Sequence, residues 1–266
     1  MFKPYHQFVY KNKRGGTGKQ PCTVIAHRGA SAYYPENTLA SFRGAIAQEA
    51  DMVELDVQLT ADDEVVVFHD AKISRCTNGR GRLKDHKLSQ LKELDAGRWF
   101  HEKFKGEKIP TLAEVLSLCC GRIAVNIEIK TEAVGQTISG GIEEKCLKAV
   151  ELAGMSEHTV FSSFDPRAVL HIKQIDGRVP VAVLFDKKLD DGRRPSEIVA
   201  ALNADAFNCS QHELTRKRLA DLKAHNIPVN VYSPNDEPSM MRMITRGVNG
   251  IFTDRPDILR RLLENF

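Results

Sequence analysis

The chain reads as an α/β protein of the (β/α)8 TIM-barrel class, with a β-hairpin after the second strand and a small inserted excursion. Three observations predict this. Eight short β-rich runs recur along the 266 residues, with a helical pattern after nearly every one. Several runs end in histidine, arginine, lysine or carboxylate side chains, which a barrel would collect at one rim. No G-x-G-x-x-G follows the first run, which argues against a doubly wound open sheet.

The parallel strands are expected at residues 23–26, 52–57, 123–129, 159–162, 179–184, 206–209, 228–232 and 250–252. Asn37 is expected to cap the first helix, where Leu39, Phe42 and Ile46 recur on one face. Later helices are expected at 112–118, 142–153, 166–174, 196–202, 215–225, 238–246 and 256–264. One run breaks the parallel scheme. Residues 64–68 follow the second strand after only Thr60–Asp63, too short a link for a crossover, so these runs form an antiparallel hairpin. The hairpin brings Asp56 opposite the His69 region. Period-2 alternation puts Glu54, Asp56 and Gln58 on one face and Val53, Leu55 and Val57 on the other. Residues from about 70 to 110 are polar and glycine-punctuated and carry the only tryptophan, Trp99. An excursion of that length is expected to be a lid or a small inserted subdomain.

Composition is that of a soluble globular protein, with 42% hydrophobic and 27% charged residues. A net charge of +3 is too small to argue for a nucleic-acid partner, and no apolar run is long enough for a membrane span. Residues 1–20 are polar and basic, without the apolar core of a secretion signal. They are expected to form a flexible or loosely docked segment ahead of a barrel domain over 21–266. Gly15–Lys19 suggests a phosphate-binding loop, but Lys13 stands where that motif needs glycine and Gln20 where it needs Ser or Thr. None of the six cysteines forms a C-x-x-C pair, so they are read as reduced and the protein as cytoplasmic.

Glu54, Asp56 and Glu128 lie inside apolar β-runs, where a buried carboxylate needs a partner or a metal. Three oxygen donors with no cysteine beside them suit one divalent ion, Mg²⁺ or Ca²⁺. His27 and His69 close strands near these carboxylates and titrate close to neutrality, so they can divide acid and base work. Arg28 and Lys130 add positive charge, which favours a phosphate ester as the reacting group. Glu36 and Asn37 are expected at the same rim, Asn37 either as a cap or as a substrate contact. Phe164, Trp99, Phe100 and Tyr232 are candidates to line an apolar path.

These residues resemble the glycerophosphodiester phosphodiesterase family. H-R-G-A-S-A-Y-Y-P-E-N-T, V-E-L-D-V-Q-L-T, V-V-F-H-D, N-I-E-I-K, S-S-F and T-D-R-P stand in the family's order between about Val24 and Leu262. R-C-T-N-G-R-G and A-G-R-W-F with I-P-T-L resemble the family's insertion. The resemblance implies a (β/α)8 barrel that hydrolyses glycerophosphodiesters to sn-glycerol 3-phosphate and an alcohol. It implies a divalent metal on Glu54, Asp56 and Glu128, acid–base work by His27 and His69, and phosphate binding by Arg28 and Lys130. The family's Trp-Thr-Val-Asn is replaced here by Tyr232-Ser233-Pro234-Asn235, and Asn249 stands where G-V-D-G is common. The alternative within the same chemistry is a lysophospholipase D-like or phospholipase C-like enzyme acting on lipids. A different class, a catalytically silent binding barrel, would call for a lost histidine or carboxylate, and none is lost.

Overall fold

The computed structural model describes residues 22–187 and 192–266. The expectation for residues 1–20 lies outside them. Eight parallel strands form a closed ring: β1 (Thr23–Ala26), β2 (Met52–Leu59), β4 (Ala124–Ile129), β5 (Thr159–Ser163), β6 (Val181–Leu184), β7 (Ala206–Ser210), β8 (Val229–Tyr232) and β9 (Gly250–Thr253). The ring closes because β1 pairs with both β2 and β9, Ile25 lying opposite Met52 on one side and Phe252 on the other. This is a TIM barrel. The helices that clothe it are α1 (Leu39–Ala47), α3 (Leu112–Cys119), α4 (Ile142–Leu152), α5 (Pro166–Ile175), α6 (Pro195–Ala201), α7 (Arg216–Ala224), α8 (Glu237–Arg246) and α9 (Pro256–Glu264), with α2 (Leu88–Glu93) in the excursion.

Alternation along the strands divides each one between two environments. Val53, Leu55 and Val57 of β2 and Val125, Ile127 and Ile129 of β4 face outward and pack with Phe42, Leu112, Leu116, Ile142 and Val169 of the helices. Val24, Phe207, Val229, Val231 and Ile251 do the same on the other side, against Leu222, Met240, Met243 and Leu259. The complementary residues Ile25, Met52, Val160, Ala182, Ala206 and Phe252 plug the interior. Above that plug the inward positions turn polar: Glu54 pairs in register with Asn126, and Asp56 with Glu128.

β2 is longer than its place in the ring. Its last residues, Val57 to Leu59, pair antiparallel with β3 (Val65–Val67), Val57 facing Val67. The Phe68 amide continues the ladder by donating to the Asp56 carbonyl at 2.9 Å. The loop closes through Thr60, whose hydroxyl accepts from the Glu64 amide at 3.0 Å. The excursion beyond β3 has a core of its own, where Ile73, Cys76, Leu83, Leu91, Ala96 and Ile109 pack on Val66 and Phe68.

The first helix departs from expectation at one position. Thr38, not Asn37, is the N-cap: its hydroxyl accepts from the Ser41 amide at 3.3 Å. Asn37 has a left-handed backbone (φ 56°) and points its amide group elsewhere. The preceding turn is equally constrained. Gly29 has φ +84°, and a Cβ there would meet Ser41 Oγ at 2.5 Å and the Ser41 carbonyl carbon at 2.6 Å. Gly29→Ala is therefore expected to destabilise the protein by about 1–3 kcal/mol, through backbone strain and overpacking together. Urea unfolding with an unchanged midpoint would refute this.

Candidate active site

The C-terminal ends of the strands enclose a cavity of about 250 Å³, lined on one side by His27, Arg28, Glu54, His69, Glu128 and Lys130. Its other side is largely apolar, with Phe164, Leu184, Tyr232 and Phe252, while Asn126, Ser162 and Ser233 complete the lining. This is the face at which TIM barrels build their sites.

Each of these side chains owes its position to a strand. Glu54 and Asp56 are two residues apart on β2 and therefore share its inner face. The parallel register of β2 with β4 sets Glu128 beside Asp56. Glu54, Asp56 and Glu128 each offer an oxygen, and these oxygens lie within 4.8 Å of one another. All three side chains are buried or nearly so, with Asp56 only 1% exposed. Like charges so close need compensation, and the neighbours supply it to two of them. Lys130 Nζ lies 2.7 Å from Glu128 and 3.3 Å from Asp56, and Arg28 Nε lies 3.4 Å from Asp56 Oδ2. Asn37 Nδ2 donates to the same Asp56 oxygen at 2.8 Å. Among the described residues, Glu54 receives a hydrogen bond from the Arg28 backbone amide alone, at 2.9 Å.

The ionisation of the three follows from this unequal supply. Burial, with the Asp56 charge beside it, pushes Glu54 up to about 8. Burial opposes ionisation of Asp56 too, but Lys130, Arg28 and His69 overcome it and hold that carboxyl at about 2. Burial and the charge of Asp56 raise Glu128 against the pull of Lys130. A set of buried oxygen donors that lacks sufficient positive charge is suited to a divalent cation.

The two histidines are each held at Nδ1 by a carboxylate: His27 by Asp254 at 2.7 Å and His69 by Asp70 at 2.6 Å. Asp254 is fixed by Asn235, which donates to its Oδ2 at 2.6 Å and accepts from its backbone amide at 2.8 Å. With Nδ1 engaged, Nε2 of each ring is left for proton transfer. Their proton affinities diverge. Burial works against protonation of His27, but Asp254 and Glu54 outweigh it and the net direction is up. At His69, burial, aided by Arg28 and Lys130, outweighs Asp56 and the direction is down.

Glu36 and Asn37 stand behind the lining. Asn37 is buried against Asp56, while Glu36 accepts from Arg28 Nη1 at 2.8 Å. The aromatic path splits in two. Phe164 and Tyr232 meet edge-on at the cavity, with ring centroids 6.2 Å apart, and Tyr232 donates its hydroxyl to the Phe185 carbonyl. Trp99 and Phe100 join Phe104 and Tyr34 in a cluster apart from the cavity lining. Sequence reasoning missed Asp70, Asp254 and Arg75. Asp70 and Asp254 lay in plain view in the H-D and T-D-R-P motifs, since a histidine needs an acceptor at the ring nitrogen it does not use. Arg75 opens the R-C-T-N-G-R-G motif, but nothing in that motif names the carboxylates it meets.

Comparison with known proteins converges on one family. The model of the glycerophosphoryl diester phosphodiesterase family matches residues 27–258. A glycerophosphodiester phosphodiesterase of Caldanaerobacter subterraneus subsp. tengcongensis is 38% identical over 241 residues, covering 90% of this chain and 97% of that protein. The crystal structure of glycerophosphodiester phosphodiesterase from Agrobacterium tumefaciens superposes with a TM-score of 0.79 at 29% identity, over 91% of this chain and 100% of the other. An Oleispira antarctica phosphodiesterase, solved in complex with the product sn-glycerol-3-phosphate, gives a TM-score of 0.80 at 29% identity, over 92% and 97%.

The raised Glu54 makes a prediction about stability. Its folded value of about 8 stands above the ordinary 4.5, so its contribution is fully present below 4.5 and is lost as pH rises through 8. Glu128 and His27 shift the same way, and His69 opposes them. In EDTA, Tm should fall between pH 5 and 8, and Glu54→Gln should flatten that slope. Added Mg²⁺ or Ca²⁺ should raise Tm more at pH 8 than at pH 6. Scanning calorimetry showing equal shifts at both pH values would contradict this account.

Proposed function

Because the chain belongs to the glycerophosphoryl diester phosphodiesterase family, we propose that its barrel hydrolyses glycerophosphodiesters to sn-glycerol 3-phosphate and an alcohol with the two histidines as the acid–base pair. Its enzyme class is glycerophosphodiester phosphodiesterase. The observation that carries the finer reading is the pairing of two carboxylate-held histidines with Arg28 and Lys130 around one small cavity.

His69, whose proton affinity is lowered, accepts the proton of the nucleophile at Nε2. That nucleophile is water, which gives sn-glycerol 3-phosphate directly, or the substrate's own 2-hydroxyl, which gives a cyclic phosphate that water opens in a second step with the histidine roles exchanged. His27, whose affinity is raised, donates from Nε2 to the leaving oxygen as the P–O bond breaks. Asp70 and Asp254 hold the rings and stabilise the imidazolium form of each in turn. Arg28 and Lys130 bind the non-bridging oxygens and offset the charge that builds on phosphorus. Glu54, Asp56 and Glu128 would hold a divalent ion, Mg²⁺ or Ca²⁺. Such an ion supplies Lewis-acid polarisation of the phosphate.

The cavity volume, about 250 Å³, suits a glycerol phosphate better than an acyl chain. Phe164 and Tyr232 would cover the carbon face of the glycerol. Trp99 and Phe100 lie in a cluster outside the cavity lining, so the lipid-directed alternative gains no support from them. A cytoplasmic location belongs to the same proposal, supported by six cysteines that all carry free thiols. Among the described residues no helix is long and apolar enough to cross a membrane.

Purified protein should release sn-glycerol 3-phosphate from glycerophosphocholine, lose that activity in EDTA and regain it with Mg²⁺ or Ca²⁺. Activity indifferent to chelation would remove the metal from the proposal. His69→Ala should lower kcat by about 10²–10⁴-fold whatever the leaving group. His27→Ala should lose as much on a choline ester but far less on a p-nitrophenyl ester, whose leaving group needs no proton. Equal losses on both esters would reverse or void the assignment.

A further inference from the structure

The excursion sends one guanidinium towards the site. Arg75 ends the helical turn Ile73–Arg75, whose Ile73 is fully buried in the excursion's own core. From there it grips Glu36 with both terminal nitrogens, Nη1 to Oε2 at 2.8 Å and Nη2 to Oε1 at 2.7 Å. Nη2 also donates to Asp70 Oδ1 at 3.0 Å, and Nε donates to Asp70 Oδ2. Glu36 and Asp70 are the two carboxylates that hold Arg28 and His69. Neither Arg75 nor Glu36 lines the cavity.

We propose that Arg75 is a positioning residue that sets two working groups at once: Arg28 through Glu36, and His69 through Asp70. The inference rests on the phosphodiesterase reading above. Without Arg75, Glu36 has one cationic partner instead of two and gains torsional freedom, and the outer end of the Arg28 fork is held less firmly, although its Nε stays beside Asp56. Asp70 in turn loses its brace and leaves the His69 ring free to rotate. Only arginine can do this: a planar fork of five donors reaches two carboxylates together, whereas a lysine ammonium is a single point of charge. Arg75 is 44% exposed, but its grip is bidentate and joins a network of charges, so it can add to stability as well. Kinetics and a spectroscopic signature separate the positioning role from that one.

The two arms separate kinetically. Glu36→Gln should act on the Arg28 arm and raise KM for glycerophosphocholine. Asp70→Asn should act on the His69 arm and lower kcat. Arg75→Ala should do both and reduce kcat/KM by about 10–100-fold, the usual scale for a partner one layer behind a working group. Arg75→Lys should recover only a fraction of that loss, and added guanidinium should partly rescue Arg75→Ala. Arg98→Ala, which breaks an exposed pair with Glu102 in the same excursion, should change none of these values.

A second readout is independent of turnover. The hydrogen-bonded Nδ1 proton of His69 should give a downfield NMR signal in the parent protein and in Arg98→Ala, and should be lost in Arg75→Ala. Wild-type kcat and KM in Arg75→Ala, or a lowered Tm with kinetics intact, would overturn the proposal. So would a His69 signal that survives the substitution. An inactive parent protein would instead sink the functional reading and leave the NMR test of Arg75 standing. Should Arg75→Ala fail to fold, Arg75→Lys carries the same comparisons.

Discussion

Three carboxylates at the mouth of one barrel repel one another, and much of the surrounding structure is arranged around that repulsion. The register between β2 and β4 forces it, by laying Asp56 directly beside Glu128 with Glu54 one step below. Lys130 and Arg28 relieve the upper pair, and Asn37 abandons the cap it might have provided in order to donate to Asp56. Thr38 can then start the helix, one residue later, from its own hydroxyl. The left-handed run Arg28–Gly29 lets the chain bend so that the Arg28 backbone amide reaches Glu54. Local oddities of backbone and capping in this region therefore share one electrostatic origin.

The histidines extend the same economy outward. Each is braced at Nδ1 by a carboxylate, and burial opposes protonation of both, yet they shift in opposite directions. At His27, Asp254 and Glu54 outweigh burial, whereas at His69 Arg28 and Lys130 offset the pull of Asp56 and burial prevails. An ion pair built to hold the acidic cluster thus also tunes the groups beside it.

Much of this was legible in the chain. β-rich runs separated by helical stretches identify the barrel. The four-residue link after β2 permits only a hairpin, and alternation places Glu54 and Asp56 on one face. These features are local, so a reader of sequence can reach them. What escaped depends on contacts across great separations. Asp254 meets His27 from 227 positions away, and nothing near either residue announces the other until the ring closes. Arg75 reaches Glu36 from 39 positions away out of a polar segment where many arginines look alike. Trp99 and Phe100 misled in the other direction, since an aromatic residue announces burial or contact but not its address. Asn37 misled because both Asn and Thr are good caps, and only the needs of Asp56 decide between them.

The overhang of β2 has a consequence for how the molecule fails under stress. The eight-stranded ring is complete without β3, and the segment beyond β3 packs on a core of its own, although Val67 anchors β3 itself in the barrel's core. Native-state hydrogen exchange resolves partial openings as units with their own free energy, below that of global unfolding. His69 and Asp70 lie in the segment beyond β3. Any opening confined to that segment would carry both side chains away from the cavity while the ring of eight strands stayed closed.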